Sequence, residues 1–150
     1  MKIKYIIMIA LVAAAALVFA YKLDVFKRVG VVVYSHWIAN YQPAYARDPL
    51  IKDPTAKVRV FTSDRSYNDI KGRYEHLFGF EFTEKTVVSP SIEKISGREY
   101  IVKRFAVAVR PYSYLSIGEV QWMEGGKNSA SGSLIISGDD FNPKQAGGKP

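Results

Sequence analysis

Cysteine is absent from this 150-residue chain, and histidine occurs only at His36 and His76. The lack of cysteine excludes a disulfide framework, a thiolate metal site, a cysteine nucleophile and a lipidated cysteine anchor. Neither histidine has a neighbour at the spacing of an HxH or HExxH metal motif. A carboxylate such as Asp64, Asp69 or Glu75 would have to complete a site with both histidines, and no spacing requires this. We therefore predict surface or structural histidines and no metal or cofactor.

Motifs of catalysis are missing as well. No GxSxG elbow, SxxK pair, phosphate-binding P-loop or GxGxxG fingerprint occurs in the chain. Paired carboxylates would serve a glycosidase, but the glutamates are scattered over strands and turns, where solvated carboxylates are normal. We predict that the protein is not an enzyme, with no catalytic residues. A hydrolase that uses His36 or His76 is the alternative.

Long runs of one charge are also lacking, although the formal net charge is +7. A basic surface can face nucleic acid, anionic lipid or an acidic partner, but lysine and arginine are spread among the acidic residues. Basic and aromatic side chains are interleaved at residues 98–100 and 103–105, yet the glycine-containing pattern of RNA-recognition strands is absent. We predict no nucleic-acid partner.

The chain does have one long apolar run near its start, free of charge from Tyr5 to Tyr21. As a helix this run would measure about 25 Å, slightly short of a hydrocarbon core of about 30 Å. Lys4 and Lys22 could extend it by reaching outward, with Tyr5 and Tyr21 at the two interfaces. We predict a helix that spans a membrane and contacts its lipid.

Two further features of this run concern its neighbours and its cleavage. The small side chains Ala13 and Ala16 would permit close packing against another helix. A cleaved leader is the alternative, because a small-x-small pattern ends at Ala20. No polar, helix-breaking region precedes Ala20, and residues 21–28 continue an amphipathic helix, so an uncleaved signal anchor is favoured. The short basic start predicts a single-pass protein of the inner, cytoplasmic membrane with its domain on the periplasmic, extracytoplasmic side.

Strand patterns dominate the chain beyond residue 28. The β-branched run at residues 29–34 predicts a buried strand, since it is apolar throughout. Further strands are predicted at residues 57–62, 80–88, 99–110, 115–123 and 133–137. The fourth of these six strands is apolar on both faces, which predicts a central position in the sheet. Non-strand segments are predicted at residues 89–98 (a connection), 125–128 (a flexible loop) and 138–150 (a disordered tail).

One helix is predicted within this region. Ser66 and Asp69 match a capping box, and apolar residues follow at helical spacing until Gly79, which stands where a C-terminal glycine cap would be. The fold class predicted is α+β, mainly β: an N-terminal membrane helix followed by an antiparallel β-sheet domain, a curled sheet or small barrel, with one short helix. The predicted regions are 1–28 for the signal anchor with its juxtamembrane extension, 29–137 for the β-rich domain and 138–150 for the tail.

An aromatic segment is the most unusual feature beyond the apolar run. It comprises Tyr34, His36, Trp37, Tyr41 and Tyr45, which we name as candidate binding residues. Aromatic rings with polar edges suit a membrane interface or a protein interface. Packing on the domain's own sheet, contact with a partner or with lipid headgroups, and a small-ligand pocket are the three alternatives.

These features together indicate a binding protein. We predict a membrane-anchored envelope protein with an accessory or structural role, which contacts a membrane-protein partner or the membrane surface. The alternative is a cleaved periplasmic or secreted binding protein, such as an inhibitor or immunity factor.

Overall fold

Seven strands and three helices make up the part of the chain that the computed structural model describes, residues 2–22, 25–43, 58–110 and 115–138. The helices are α1 (Lys2–Lys22), α2 (Val25–Ile38) and α3 (Tyr67–Phe78). The strands are β1 (Asn40–Tyr41), β2 (Val58–Ser63), β3 (Glu81–Thr86), β4 (Ile92–Ile95), β5 (Arg98–Arg110), β6 (Leu115–Glu124) and β7 (Lys127–Gly138). The chain divides into two compact units, residues 1–34 and residues 35–150.

Helix α1 contains the apolar run, and its 21 residues would measure about 32 Å. Its side chains are exposed on every face from residue 3 to residue 19, Tyr5, Ala13 and Ala16 among them, and Tyr21 lies in its last turn. Within the described ranges, no helix reaches the length and apolarity that crossing a membrane requires. Insertion of α1 into a membrane therefore stays a prediction.

Helix α2 corrects the strand predicted at residues 29–34, which are helical. The prediction relied on a run of valines, but a β-branched residue costs a helix only a few tenths of a kcal/mol. Once a helix is formed, each added residue costs little, because a backbone hydrogen bond accompanies it. The helix that begins at Val25 therefore extends through the valines, although the valines alone would favour a strand.

Helix α3 confirms the helix predicted between Ser66 and Gly79. The Asp69 N–H donates a hydrogen bond to the Ser66 hydroxyl over 3.2 Å, as the capping box requires. Gly79 has a left-handed conformation, φ 67°, and its N–H donates to the Glu75 carbonyl over 3.0 Å. Glycine adopts this conformation at little cost, so the sequence marks both ends of the helix.

The seven described strands form one antiparallel sheet, which confirms the mainly β class. Their order is β1-β2-β7-β6-β5-β3, and β4 also pairs with β5. Strand β5 lies between β6 on one side and β3 with β4 on the other, as its predicted central position requires. Strand β4 lies in the segment predicted to be a connection. Pro90 and Gly97 suggested that connection, but Gly97 instead forms the tight turn into β5, with φ 79°.

Both faces of the sheet carry buried residues. One face holds a core cluster of Val60, Ile95, Tyr100, Val102, Val120, Trp122, Leu134 and Ile136. On the other face, Phe61, Ile135 and Ile117 are fully buried register partners, and α3 contacts β6 and β7. A register shift between Val102 and Arg104 marks a bulge in β5, which interrupts the simple alternation of its side chains between the two faces.

The sheet curls at one end. Gln42 follows β1, and Ser96 lies in the turn between β4 and β5, near the opposite side of the sheet. In a flat sheet between four and five strand spacings, about 19–24 Å, would separate these positions. The Ser96 hydroxyl nevertheless donates a hydrogen bond to the Gln42 amide oxygen.

The connection between β6 and β7 is a tight turn instead of the flexible loop predicted at residues 125–128. Gly125 and Gly126 have φ 58° and 76°, and both values are typical of a two-residue hairpin turn that keeps the twist of the strands. The final strand consequently begins at Lys127, six residues before its predicted start. Of the predicted tail, Gly138 ends β7, and residues 139–150 lie outside the described residues.

Candidate functional site

The aromatic segment is distributed over two elements. Tyr34 is half-buried in α2 and belongs to the first compact unit. His36 and Trp37 lie in the last turn of α2, and Tyr41 lies in β1, all in the second unit. Tyr45 lies outside the described residues. The site can therefore be followed through His36, Trp37 and Tyr41.

The path of the chain from α2 into β1 creates the site. The Ala39 N–H donates a hydrogen bond to the Ser35 carbonyl over 3.0 Å and closes the last turn of the helix. Strand β1 then pairs with β2, with Asn40 opposite Thr62. Because the strands are antiparallel, the end of the helix comes to lie beside the residues that follow β2. The buried Ser35 hydroxyl fixes this turn from the other side, 2.5 Å from the Tyr74 hydroxyl of α3.

Two of the aromatic residues pack against the domain's own sheet. The His36 ring lies 5.0 Å from the ring of Phe61, perpendicular to it, and 4.9 Å from the ring of Tyr41. Tyr41 in turn lies 5.3 Å from Phe61, which is fully buried. Edge-to-face contacts of this kind contribute about 0.5–1.5 kcal/mol beyond the area that they bury. His36 and Tyr41 therefore contact the domain's own sheet, and both side chains stay exposed at the surface.

Trp37 differs from its neighbours, because 80% of its side chain is exposed. An indole ring packed on the domain's own sheet would be largely buried, so contact with a partner, with lipid headgroups or with a small ligand stays the prediction for Trp37. A large aromatic side chain on the surface is a feature that binding sites favour.

An open cleft of about 540 Å³ lies beside Trp37. We call it the Trp37 cleft. Its lining residues are His36, Trp37, Ile38, Ala39, Asn40, Ser63, Asp64 and Arg65. Arg65 is held in place by its backbone, since its carbonyl accepts a hydrogen bond from the Ser133 hydroxyl over 2.8 Å. The end of one helix and the loop after β2 thus form the two walls.

The charges of the cleft are locally balanced. Asp64 lies 3.9 Å from the Arg98 guanidinium, and Arg65 lies 3.5 Å from the Asp69 carboxylate. Asp69 also accepts two hydrogen bonds from Arg73, at 3.1 and 3.0 Å. The Arg73 guanidinium, together with that of Arg65, holds the pKa of the Asp69 carboxyl below its usual range. Asp69 is therefore charged at neutral pH and balances Arg65.

A second group of charges joins α3 to the sheet. The Arg104 Nε atom lies 2.6 Å from a Glu119 carboxylate oxygen, and its guanidinium lies 4.6 Å from the centre of the Tyr67 ring. Glu84 pairs with Lys71 over 3.3 Å. Burial, and after it the Glu84 carboxylate, raises the pKa of the Tyr67 hydroxyl, which stays protonated. This group of contacts connects α3 to strands β3, β5 and β6. Because its ion pairs are partly exposed, each contributes little to the stability of the fold.

Metal binding finds no support among the side chains that the structure describes. No group of three or more His, Asp or Glu residues in those ranges could hold a metal ion. His36 and Asp64 line the same cleft, whereas His76 lies exposed on α3.

Comparisons with protein families, curated proteins and solved structures find no match to this chain. Its function must therefore be argued from the chemistry of its own residues.

Sequence reasoning missed the part that Ser63 and Arg65 play in the site. The sequence suggests Asp64 only as a carboxylate that would complete a metal site with the two histidines, and not as a residue beside Trp37. The three residues follow a strand in an ordinary polar loop, and no local pattern distinguishes them. The pairing of β1 with β2 brings them to Trp37, and that pairing joins residues about twenty positions apart.

Proposed function

We propose that the protein is held in a cell-envelope membrane by α1, with its β domain on the extracytoplasmic side, where it acts as an accessory or structural binding protein. The observation that carries this proposal is the exposure of α1, whose apolar side chains face outward on all sides from residue 3 to residue 19. A helix that is apolar all round needs a lipid or protein environment, because water disfavours such a surface. The side chain of Lys4, near the start of the helix, would reach the headgroups at that end.

The partner in this proposal is a membrane protein, and its contact is with the exposed edge of the sheet. Strand β3 stands last in the described strand order, and five of its six residues are exposed. An edge strand can pair its backbone with a segment of another protein. A domain tethered to the bilayer would meet such a segment at high effective concentration.

Fractionation with N-terminal sequencing tests the anchor. The full chain should stay in the membrane fraction after alkaline extraction, with its N-terminal residues intact. A mature chain that begins at Tyr21 and is recovered in the soluble fraction would establish the cleaved, periplasmic or secreted alternative.

Cross-linking from defined positions tests the partner. A photoreactive amino acid would replace Thr86, an exposed residue of β3, and in a matched control Lys127, an exposed residue at the β6–β7 turn. After detergent solubilisation and affinity isolation, we expect a membrane protein cross-linked from position 86 and not from position 127. Equal cross-linking from both positions would count against a specific contact at β3.

A further inference from the structure

The Trp37 cleft takes no part in the anchor or in the proposed contact at β3. Its volume of about 540 Å³ falls within the range of small-molecule sites, about 300–1,000 Å³. Among its lining residues are Asn40, Asp64, Arg65 and His36, whose side chains carry an amide, a carboxylate, a guanidinium and an imidazole. An amide both donates and accepts hydrogen bonds, a carboxylate accepts and a guanidinium donates. A ligand whose groups can both donate and accept would match this mixture.

The balance of charge favours a neutral ligand. Asp64 has Arg98 as its opposite charge, and Arg65 has Asp69. A cationic or anionic ligand would meet charges of both signs, since Asp64 and Arg65 both line the cleft, so its net Coulomb energy would be small. Loss of hydration would still cost a charged ligand more than a neutral one. Hydroxyl groups are neutral and have both hydrogen-bonding roles.

The ring of Trp37 adds a flat apolar surface to this polar cleft. With 80% of its side chain exposed, the indole can accept a flat ligand against it. A pyranose ring has C–H groups on one face and hydroxyls around its edge, so it can stack on an aromatic ring while its edge forms hydrogen bonds. His36 is already held by Tyr41 and Phe61, which reduces the entropy that binding would cost on this wall.

We propose that the Trp37 cleft binds a neutral saccharide. The sugar ring stacks on Trp37, Asp64 accepts hydrogen bonds from its hydroxyls, and Asn40 and Arg65 donate to them. Neither the anchor nor a partner at β3 is needed for this binding. The sugar-binding proposal can therefore be wrong while the proposed function is right, and the proposed function can be wrong while sugar binding is right.

Tryptophan fluorescence offers a direct test, because the chain has two tryptophans and Trp122 is only 1% exposed. Acrylamide quenching therefore reports mainly on Trp37. The full chain, in a zwitterionic detergent without a sugar headgroup, would be titrated with neutral tetrasaccharides of N-acetylglucosamine, β-1,4-glucose and α-1,4-glucose. We expect at least one of them to shift the emission to shorter wavelength and to protect Trp37 from quenching, with saturation.

Two variants with a matched control assign the response to the cleft, with calorimetry as a second readout. Asp64→Asn should weaken binding about tenfold or more, since hydrogen bonds to a charged group are lost. Trp37→Ala should abolish the calorimetric signal. Glu124→Gln removes an exposed carboxylate from the end of β6, outside the cleft and β3, and should bind like the unchanged chain.

Three results would overturn the proposal. The first is the absence of a saturable response to all three tetrasaccharides at millimolar concentration. The second is equal affinity in Asp64→Asn and Glu124→Gln. The third is a saturable response to an acidic peptide with none to the sugars, which would assign the cleft to a protein ligand.

Discussion

Trp37 and Trp122 are the same residue type in opposite environments, with 80% and 1% of their side chains exposed. Trp37→Ala removes a side chain that buries little, so we expect the free energy of unfolding to change by no more than about 0.5 kcal/mol. Trp122→Ala, the matched comparison, should cost about 3–5 kcal/mol, because it opens a cavity in the core. Thermal denaturation measures both. A large loss of stability in Trp37→Ala would restore the packing alternative for this residue.

Two glycines make a second matched pair at the residue scale. A Cβ atom at Gly132 would lie 2.5 Å from Trp122 Nε1 and 2.6 Å from the Ser63 carbonyl oxygen, whereas one at Gly72 meets nothing within 4 Å. Gly132→Ala should therefore destabilise the domain by about 1–3 kcal/mol. Gly72→Ala, inside α3, should stabilise it by about 1 kcal/mol. Denaturant titration of both variants should give shifts of opposite sign, and shifts of the same sign would contradict this account.

The sequence predicts those site residues that lie close together along the chain and misses those that only the fold brings together. Trp37 and His36 were found because five aromatic residues cluster within twelve positions of the sequence. The role of Arg65 could not be found, because the pairing of two distant segments places it in the cleft. The exposure of Trp37 was equally hidden, since the sequence gives no measure of which aromatic side chain the sheet has room to cover.

At the scale of elements, the Asp69 carboxylate in the first turn of α3 forms ion pairs with Arg65 and Arg73. The pKa of this carboxyl is lowered in the folded protein by Arg73 and Arg65, relative to an ordinary value of 3.8. The stabilisation that follows is complete above that ordinary pKa and is lost as the pH falls through the lower folded pKa. In urea titrations, the difference in unfolding free energy between the unchanged chain and Asp69→Asn should shrink on acidification from about pH 6 to about pH 2.

Arg73→Gln is a control for this pH dependence, because it removes the main cause of the lowered Asp69 pKa. In this background, the difference in unfolding free energy caused by Asp69→Asn should be smaller at neutral pH. The carboxylate is partly exposed, so solvent screening keeps the effect small. A difference that stays constant across the acid range would show that the charge of the Asp69 carboxylate does not stabilise the fold.

Elements were predicted well where the sequence marks their ends. Ser66 and Gly79 delimit α3 because a hydroxyl cap and a left-handed glycine have local physical causes. The predictions for residues 29–34 and for strand β4 were wrong, because the secondary structure of both segments depends on neighbouring segments of the chain. A valine run is compatible with helix or strand, and a four-residue strand such as β4 forms only when β5 offers it an edge.

At the scale of the whole molecule, residues 1–34 form a compact unit separate from the β domain. Val12→Lys places a charge near the middle of α1, where a lysine in a bilayer costs about 2.5–3.5 kcal/mol. We expect this variant to leave the membrane fraction in alkaline extraction, while the melting temperature of the β domain stays the same. Val12→Leu is the control and should remain in the membrane. Retention of the lysine variant would rule out α1 as a spanning anchor.

The place of β7 in the sheet has a consequence for how the domain is made. This last described strand lies between β2 and β6, and it pairs with β2 across a separation of seventy to eighty residues. During synthesis β2 therefore cannot pair with β7 until the ribosome has released residues 133–138. A domain built in this order cannot fold progressively from its first strand. It completes its sheet in one late step, and until then its unfinished edges need protection from other chains.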